Sequence, residues 1–157
     1  MSERVSKELD DLCAPSHIPN PWLGSRYEWV KALSSSEVGQ LGERLAQRLL
    51  GGRFAGRKQG FDITLLNGSR VEVKISRRSF SQGNVWSWKQ IRRADDYDFL
   101  CLVAVEPSHA RMFLLPNNEV PEAALANLHG RGGDGTLRQI AVPRDHLPDW
   151  ILRHQVE

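Results

Sequence analysis

The chain has 157 residues, 40% apolar and 25% charged, which are the proportions of an ordinary globular protein with length enough to bury a real core. No apolar run approaches the length of a membrane span, and the opening Met1-Ser2-Glu3-Arg4 has no signal-peptide pattern, so a cytoplasmic protein with no membrane role is expected. The net charge of +2 excludes little, but its distribution is uneven. Residues 53–93 hold ten Lys or Arg (Arg53, Arg57, Lys58, Arg70, Lys74, Arg77, Arg78, Lys89, Arg92 and Arg93) and only two acids, Asp62 and Glu72. That segment therefore carries +8 and the remainder −6, which points to a polyanionic partner, with a solvated basic surface as the alternative.

In chain order, residues 5–12 have a weakly helical pattern, and residues 14–21 form a proline-rich connection. Residues 22–33 suit a short helix through Leu23, Tyr27, Val30 and Leu33, with Trp22, Tyr27 and Trp29 as packing anchors. Ser34, Ser35 and Ser36 offer an N-cap to a helix whose apolar stripe is Val38, Leu41, Leu45, Leu49 and Leu50, stopped by Gly51-Gly52. Residues 52–60 are a basic, glycine-rich connection with a short strand near Phe54.

Residues 61–74 (Phe-Asp-Ile-Thr-Leu-Leu-Asn-Gly-Ser-Arg-Val-Glu-Val-Lys) then read as a hairpin. A three-residue loop, Leu66-Asn67-Gly68, pairs Leu65 with Ser69 and so Asp62 with Glu72. A two-residue Asn-Gly turn is as ordinary locally, but it would mix apolar and charged side chains on each face. Burial decides register more strongly than turn preference does. One face then holds Phe61, Ile63, Leu65, Val71, Val73 and Ile75, and the other presents Asp62, Thr64, Arg70, Glu72 and Lys74 to solvent.

Beyond the hairpin, residues 76–84 form a polar basic loop, and residues 85–94, with Trp86, Trp88 and Ile91, read as a helix with one apolar side. Residues 97–105 are a strongly apolar strand expected at the centre of the sheet, joined by a hairpin to a strand over residues 110–115. A helix starting at Pro121, a last short strand over residues 137–142 and a terminal helix over residues 147–152 complete the chain. The glycine-rich residues 129–135 lack the Gly-Lys-Ser/Thr ending of a phosphate loop and read as a surface loop. Cys13 and Cys101 are far apart and not in metal spacing, no disulfide is expected, and Cys101 reads as a core residue. The five histidines have no zinc spacing.

The chemistry resides on the hairpin. Two carboxylates on neighbouring strands can hold a hard divalent cation such as Mg²⁺, which takes oxygen ligands and keeps several waters; the Val73 carbonyl is a further ligand. Lys74, on the same side of its strand as Glu72, can orient a water and offset phosphate charge. The alternative is an exposed cross-strand ion cluster. With the upstream helix holding Gly39-Gln40-Leu41-Gly42-Glu43, then Phe61-Asp62, then Val71-Glu72-Val73-Lys74, the chain resembles the PD-(D/E)XK nuclease superfamily over residues 37–105. Phe61 stands where many members have proline.

The resemblance implies an α/β fold with a restriction-endonuclease-like core, a mixed central β-sheet flanked by helices in the order αβββαβ. That core spans residues 37–115 of one domain, with extensions over 1–36 and 116–157. It implies DNA cleavage with Mg²⁺, or Mn²⁺ in its place, at Asp62, Glu72 and Lys74, with Glu43 helping to order the site. Gln90 matches a site-lining polar position. Arg57, Lys58, Arg70, Arg77, Arg78, Lys89, Arg92 and Arg93 are candidates for DNA phosphates, simple exposure being the alternative for each. A homodimer is expected, since cutting both strands with one site per chain takes two chains. The alternatives to an endodeoxyribonuclease of restriction or homing type are a branched-DNA resolvase or repair nuclease, and a non-catalytic nucleic-acid-binding or assembly protein.

Overall fold

The computed structural model describes residues 5–7, 20–56, 59–81, 83–92, 94–127 and 137–157. The helix expected over residues 5–12, the proline-rich connection and the loop over residues 129–135 lie outside the described residues in whole or in most part. So do Cys13, Arg57, Lys58 and Arg93.

Helix α1 (Glu28–Lys31) is a single turn, and α2 (Ser35–Leu50) is the long helix. Ser34 and Glu37 cap α2 reciprocally: the Ser34 side chain accepts from the Glu37 amide at 3.2 Å, and Glu37 accepts from the Ser34 amide at 2.8 Å. Gly51, at φ 77°, ends the helix. The buried line of α2 is Val38, Gly42 and Ala46, four residues apart, with Leu41 and Leu45 on its flanks and Leu49 exposed. The small residues let the helix press close: a Cβ at Gly42 would stand 3.1 Å from Ile75.

Strands β1 (Arg53–Phe54), β2 (Ile63–Thr64), β3 (Arg70–Arg77), β5 (Phe99–Val105) and β6 (Ala110–Pro116) form a mixed sheet in the order β1-β2-β3-β5-β6, parallel only between β3 and β5. The hairpin has the expected register: Ile63 faces Val71, Thr64 faces Arg70, and the Leu65 amide donates to Ser69 at 2.8 Å. Gly68 takes the left-handed φ of 86° that the last loop position needs.

Strands β4 (Trp86–Ile91), β7 (Leu125–Asn127) and β8 (Arg138–Val142) form a second, antiparallel sheet in the order β4-β8-β7. β5 is buried on both faces. Its Cys101, Val103 and Val105 join the core under α2, while Leu100, Leu102 and Ala104 join the core under the second sheet with Trp86, Trp88 and Ile140. The sheets are tied by Trp88 Nε1 donating to the Val103 carbonyl at 2.9 Å and by the Ser87 amide donating to Ser76 Oγ at 3.0 Å. A last one-turn helix, α3 (Asp149–Leu152), leads into a tail that hydrogen-bonds the edge of β6 at Met112 and Leu114, covering that edge.

Three expectations are corrected. Residues 85–94 contain strand β4, not a helix. Its register slips between Trp88 and Ile91, a bulge in which Gln90 has φ 57°, so Trp86, Trp88 and Ile91 all stay buried. The spacing of three between Trp88 and Ile91 imitates a helix. After Pro121 comes a 3-10 turn (Glu122–Ala124) and then β7, again not an α-helix. Finally, the polar face of the hairpin does not look onto solvent. The second sheet roofs it, and Glu72 and Ser76 are buried.

Candidate active site

Three elements converge where β2 leaves β3. Asp62 precedes β2, and its amide donates to the Val71 carbonyl at 2.9 Å. β2 supplies no further rung, so the Asp62 carboxylate takes its place: Oδ2 accepts the Val73 amide at 2.7 Å. That bond fixes the carboxylate against the middle of β3. Glu72 and Lys74, two apart on β3, share the face under the second sheet. The Glu72 side chain is only 1% exposed and Lys74 20%, and Lys74 Nζ lies 2.7 Å from Glu72 Oε1. Glu72 Oε2 is buried with no hydrogen-bond partner among the described residues.

The electrostatics show that the groups act on one another. Burial pushes the Glu72 carboxyl above the ordinary carboxylate range; the Lys74 ammonium pulls it back, the Asp62 charge pushes it further up, and Arg92 pulls it down. Glu43, on α2, is also raised, first by burial and then by Asp62, against the opposing pull of Lys74. Burial and then the Glu72 charge hold the Tyr97 hydroxyl up to about 12. Burial and then Asp62 push the Cys101 thiol up to about 12, so Cys101 is an inert core thiol. Asp62, Glu72, Lys74 and Glu43 thus form one coupled cluster.

Two of the four, Glu43 and Lys74, line a cleft of about 560 Å³ between α2, β3 and β4, together with Val73, Ser76, Lys89 and Gln90 among others; Glu72 lies behind Lys74 and not on the cleft wall. Lys89 and Gln90 face it from the β4 bulge, a strand and not the expected helix. Ser76, two residues beyond Lys74, continues the same face of β3, as strand alternation implies. Lys31 and Ser35 reach the cleft through the packing of the first 36 residues, which no local pattern reveals.

The other expected cations are committed elsewhere. Arg77 borders the cleft, but its guanidinium donates to the carbonyls of Val30, Lys31 and Leu33 at 2.8–3.2 Å, fastening the turn after α1. Arg78 pairs with Glu106 at 2.6 Å and Asp145 at 3.1 Å, and Arg70 with Asp98 at 3.1 Å. Arg92 is exposed and donates to the Gln59 carbonyl at 2.7 Å. A phosphate approaching Arg70, Arg77 or Arg78 would have to compete with these partners.

Among the described residues no three His, Cys, Asp or Glu form a metal cluster, and no helix is long and apolar enough to cross a membrane. The donor set behind Lys74 is two carboxylates, Asp62 and Glu72. It matches a hard cation that retains waters, and the unpartnered Glu72 Oε2 is the kind of oxygen such a cation would satisfy.

No protein-family model matches the sequence, and no curated protein matches it. Among solved structures, the chain is similar to the bacterial homing endonuclease I-Ssp6803I, with a TM-score of 0.51 and 18% sequence identity over 78% of this chain and 89% of that one. The fold is restriction-endonuclease-like: a mixed central sheet with the capped helix packed on one face.

Proposed function

We propose that this chain is a Mg²⁺-dependent endodeoxyribonuclease that hydrolyses DNA phosphodiester bonds. The observation that carries the reading is the buried, incompletely partnered Glu72, within reach of the Asp62 charge and in contact with Lys74, which lines a cleft. A buried carboxylate held this way is costly to keep unless it has work to do. The similarity to a homing endonuclease adds the fold on which such sites are built.

In this reading Asp62, Glu72 and the Val73 carbonyl would hold Mg²⁺ (or Mn²⁺). The bound ion supplies Lewis-acid polarisation of the phosphate and a more acidic water. Asp62 is oriented by the Val73 amide, so its placement survives before any ligand arrives. Lys74 offsets charge on the phosphate and orients the attacking water. Glu43, whose raised affinity for a proton comes from burial and Asp62, can hold a proton at the α2 wall of the cleft. Lys89 and Gln90 position the DNA strand from the opposite wall. Two chains acting together would cut both strands.

The test is a cleavage panel of supercoiled, linear, branched and single-stranded DNA with Mg²⁺, then with EDTA. Metal-dependent cutting that Lys74→Ala abolishes while DNA binding persists is the expected result. Binding without cutting on every substrate would sink the enzyme reading and leave a nucleic-acid-binding protein.

A further inference from the structure

We propose that Lys74 is the resident counter-ion of Glu72, and that a divalent cation enters the site by displacing it. The proposal rests on the reading of Asp62 and Glu72 as a cation site. Glu72 lies under the roof formed by the second sheet, shut away from water. A lone carboxylate there would cost more than a marginally stable fold can absorb. Its surroundings offer little else to balance it. Asp62 has the same sign, Tyr97 spends its hydroxyl on the Arg92 carbonyl at 3.3 Å, and Arg92 directs its guanidinium at Gln59. Among the described residues, Lys74 is the cation in direct contact, at 2.7 Å.

The two partners differ in freedom. Glu72 is fixed in the interior of β3, whereas Lys74 is one-fifth exposed at the cleft and carries its ammonium on a flexible four-carbon stem. A cation arriving through the cleft therefore meets a movable charge in front of a fixed one. A divalent ion gripped by both carboxylates outcompetes one ammonium held by a single oxygen. The ammonium it releases stays in the cleft, where an anionic oxygen of a substrate can take it up. Two consequences follow: the chain folds without metal, and metal binding arms Lys74.

The experiment measures thermal unfolding and calorimetric Mg²⁺ binding, without DNA, for wild type, Lys74→Met, Glu72→Gln and the double variant. Metal-free Lys74→Met should melt about 10 °C below wild type, because a buried charge has lost its partner. The double variant should recover most of that loss. Lys74→Met should bind Mg²⁺ roughly tenfold tighter than wild type and regain at least half of its lost melting temperature when the ion is added. If Lys74→Met fails to fold but the double variant folds, the unpaired Glu72 charge is the cause and the proposal stands. Should both fail, or should Lys74→Met keep the wild-type melting temperature and Mg²⁺ affinity, the proposal is overturned. These readouts are independent of cleavage. Wild type that binds Mg²⁺ with this signature but cuts nothing would defeat the nuclease reading alone.

Discussion

Two buried glutamates in this protein are balanced in opposite ways. Glu106, at the end of β5 with its side chain 8% exposed, is contacted by two guanidiniums, Arg78 at 2.6 Å and Arg111 at 3.7 Å, and by the His109 ring, with Asp145 holding the far side of Arg78. Glu72, on β3, has one ammonium on one oxygen and, among the described residues, no hydrogen-bond partner on the other. A structural ion cluster saturates its acid because each unsatisfied buried oxygen costs stability. The Glu72 site leaves capacity open and places it beside a second carboxylate and a cleft. The difference marks which of the two is a fastening and which is a place for a ligand.

The contrast can be broken most forcefully by neutralising each acid in turn. Glu72→Gln should lower DNA cleavage on the order of 10³-fold while leaving the fold as stable as wild type or more so, since an incompletely balanced buried charge is gone. Glu106→Ala should do the reverse. It should cost about 3–5 kcal/mol of unfolding free energy in denaturant titration, because it strands Arg78 and Arg111, yet leave cleavage by the folded fraction intact. Matching losses of activity in both variants would erase the distinction.

A pH series sharpens it. The Glu72 carboxyl is raised in the fold, so the folded state holds that proton more tightly than the unfolded chain does. Its stabilising contribution is complete below the unfolded value and is lost as pH rises through the folded one. Metal-free wild type should therefore fall behind Glu72→Gln in melting temperature as pH rises, with the gap closing on acidification. A gap independent of pH would contradict the burial argument. The smallest effect is at the β4 bulge. Gln90→Gly removes the strain of a positive φ and should stabilise the fold by about 0.5–1 kcal/mol, while weakening cleavage if the amide positions the strand. Equal activity would reduce Gln90 to a bulge residue.

How much of this was legible in the sequence varied with the distance of the partners. The hairpin register followed from burying one face around Leu66-Asn67-Gly68, and α2 from Ser34, Glu37 and a stripe of spaced apolar residues. The restriction-endonuclease-like fold was likewise readable, from the order of the helix and the Asp62 and Glu72-x-Lys74 strands. What escaped was non-local. The roof over β3 is β4, which reads locally as a helix and is held in its sheet by pairing with the distant β8, so the polar face looked like a solvent face. The bulge at Gln90 disguised β4 as a helix by shifting its apolar residues out of strict alternation. Arg70, Arg77 and Arg78 looked like free cations because their partners, Asp98, the carbonyls at the end of α1 and just beyond it, and Glu106 with Asp145, come from elsewhere in the chain.

The most direct measurement is the cleavage rate of Asp62→Asn under saturating Mg²⁺, beside its melting temperature. Asparagine keeps an oxygen for the Val73 amide but removes the charge. The expected result is a wild type that cuts DNA, and a variant that melts within a few degrees of it but cuts on the order of 10³-fold more slowly. A variant that cuts at the wild-type rate would contradict the account.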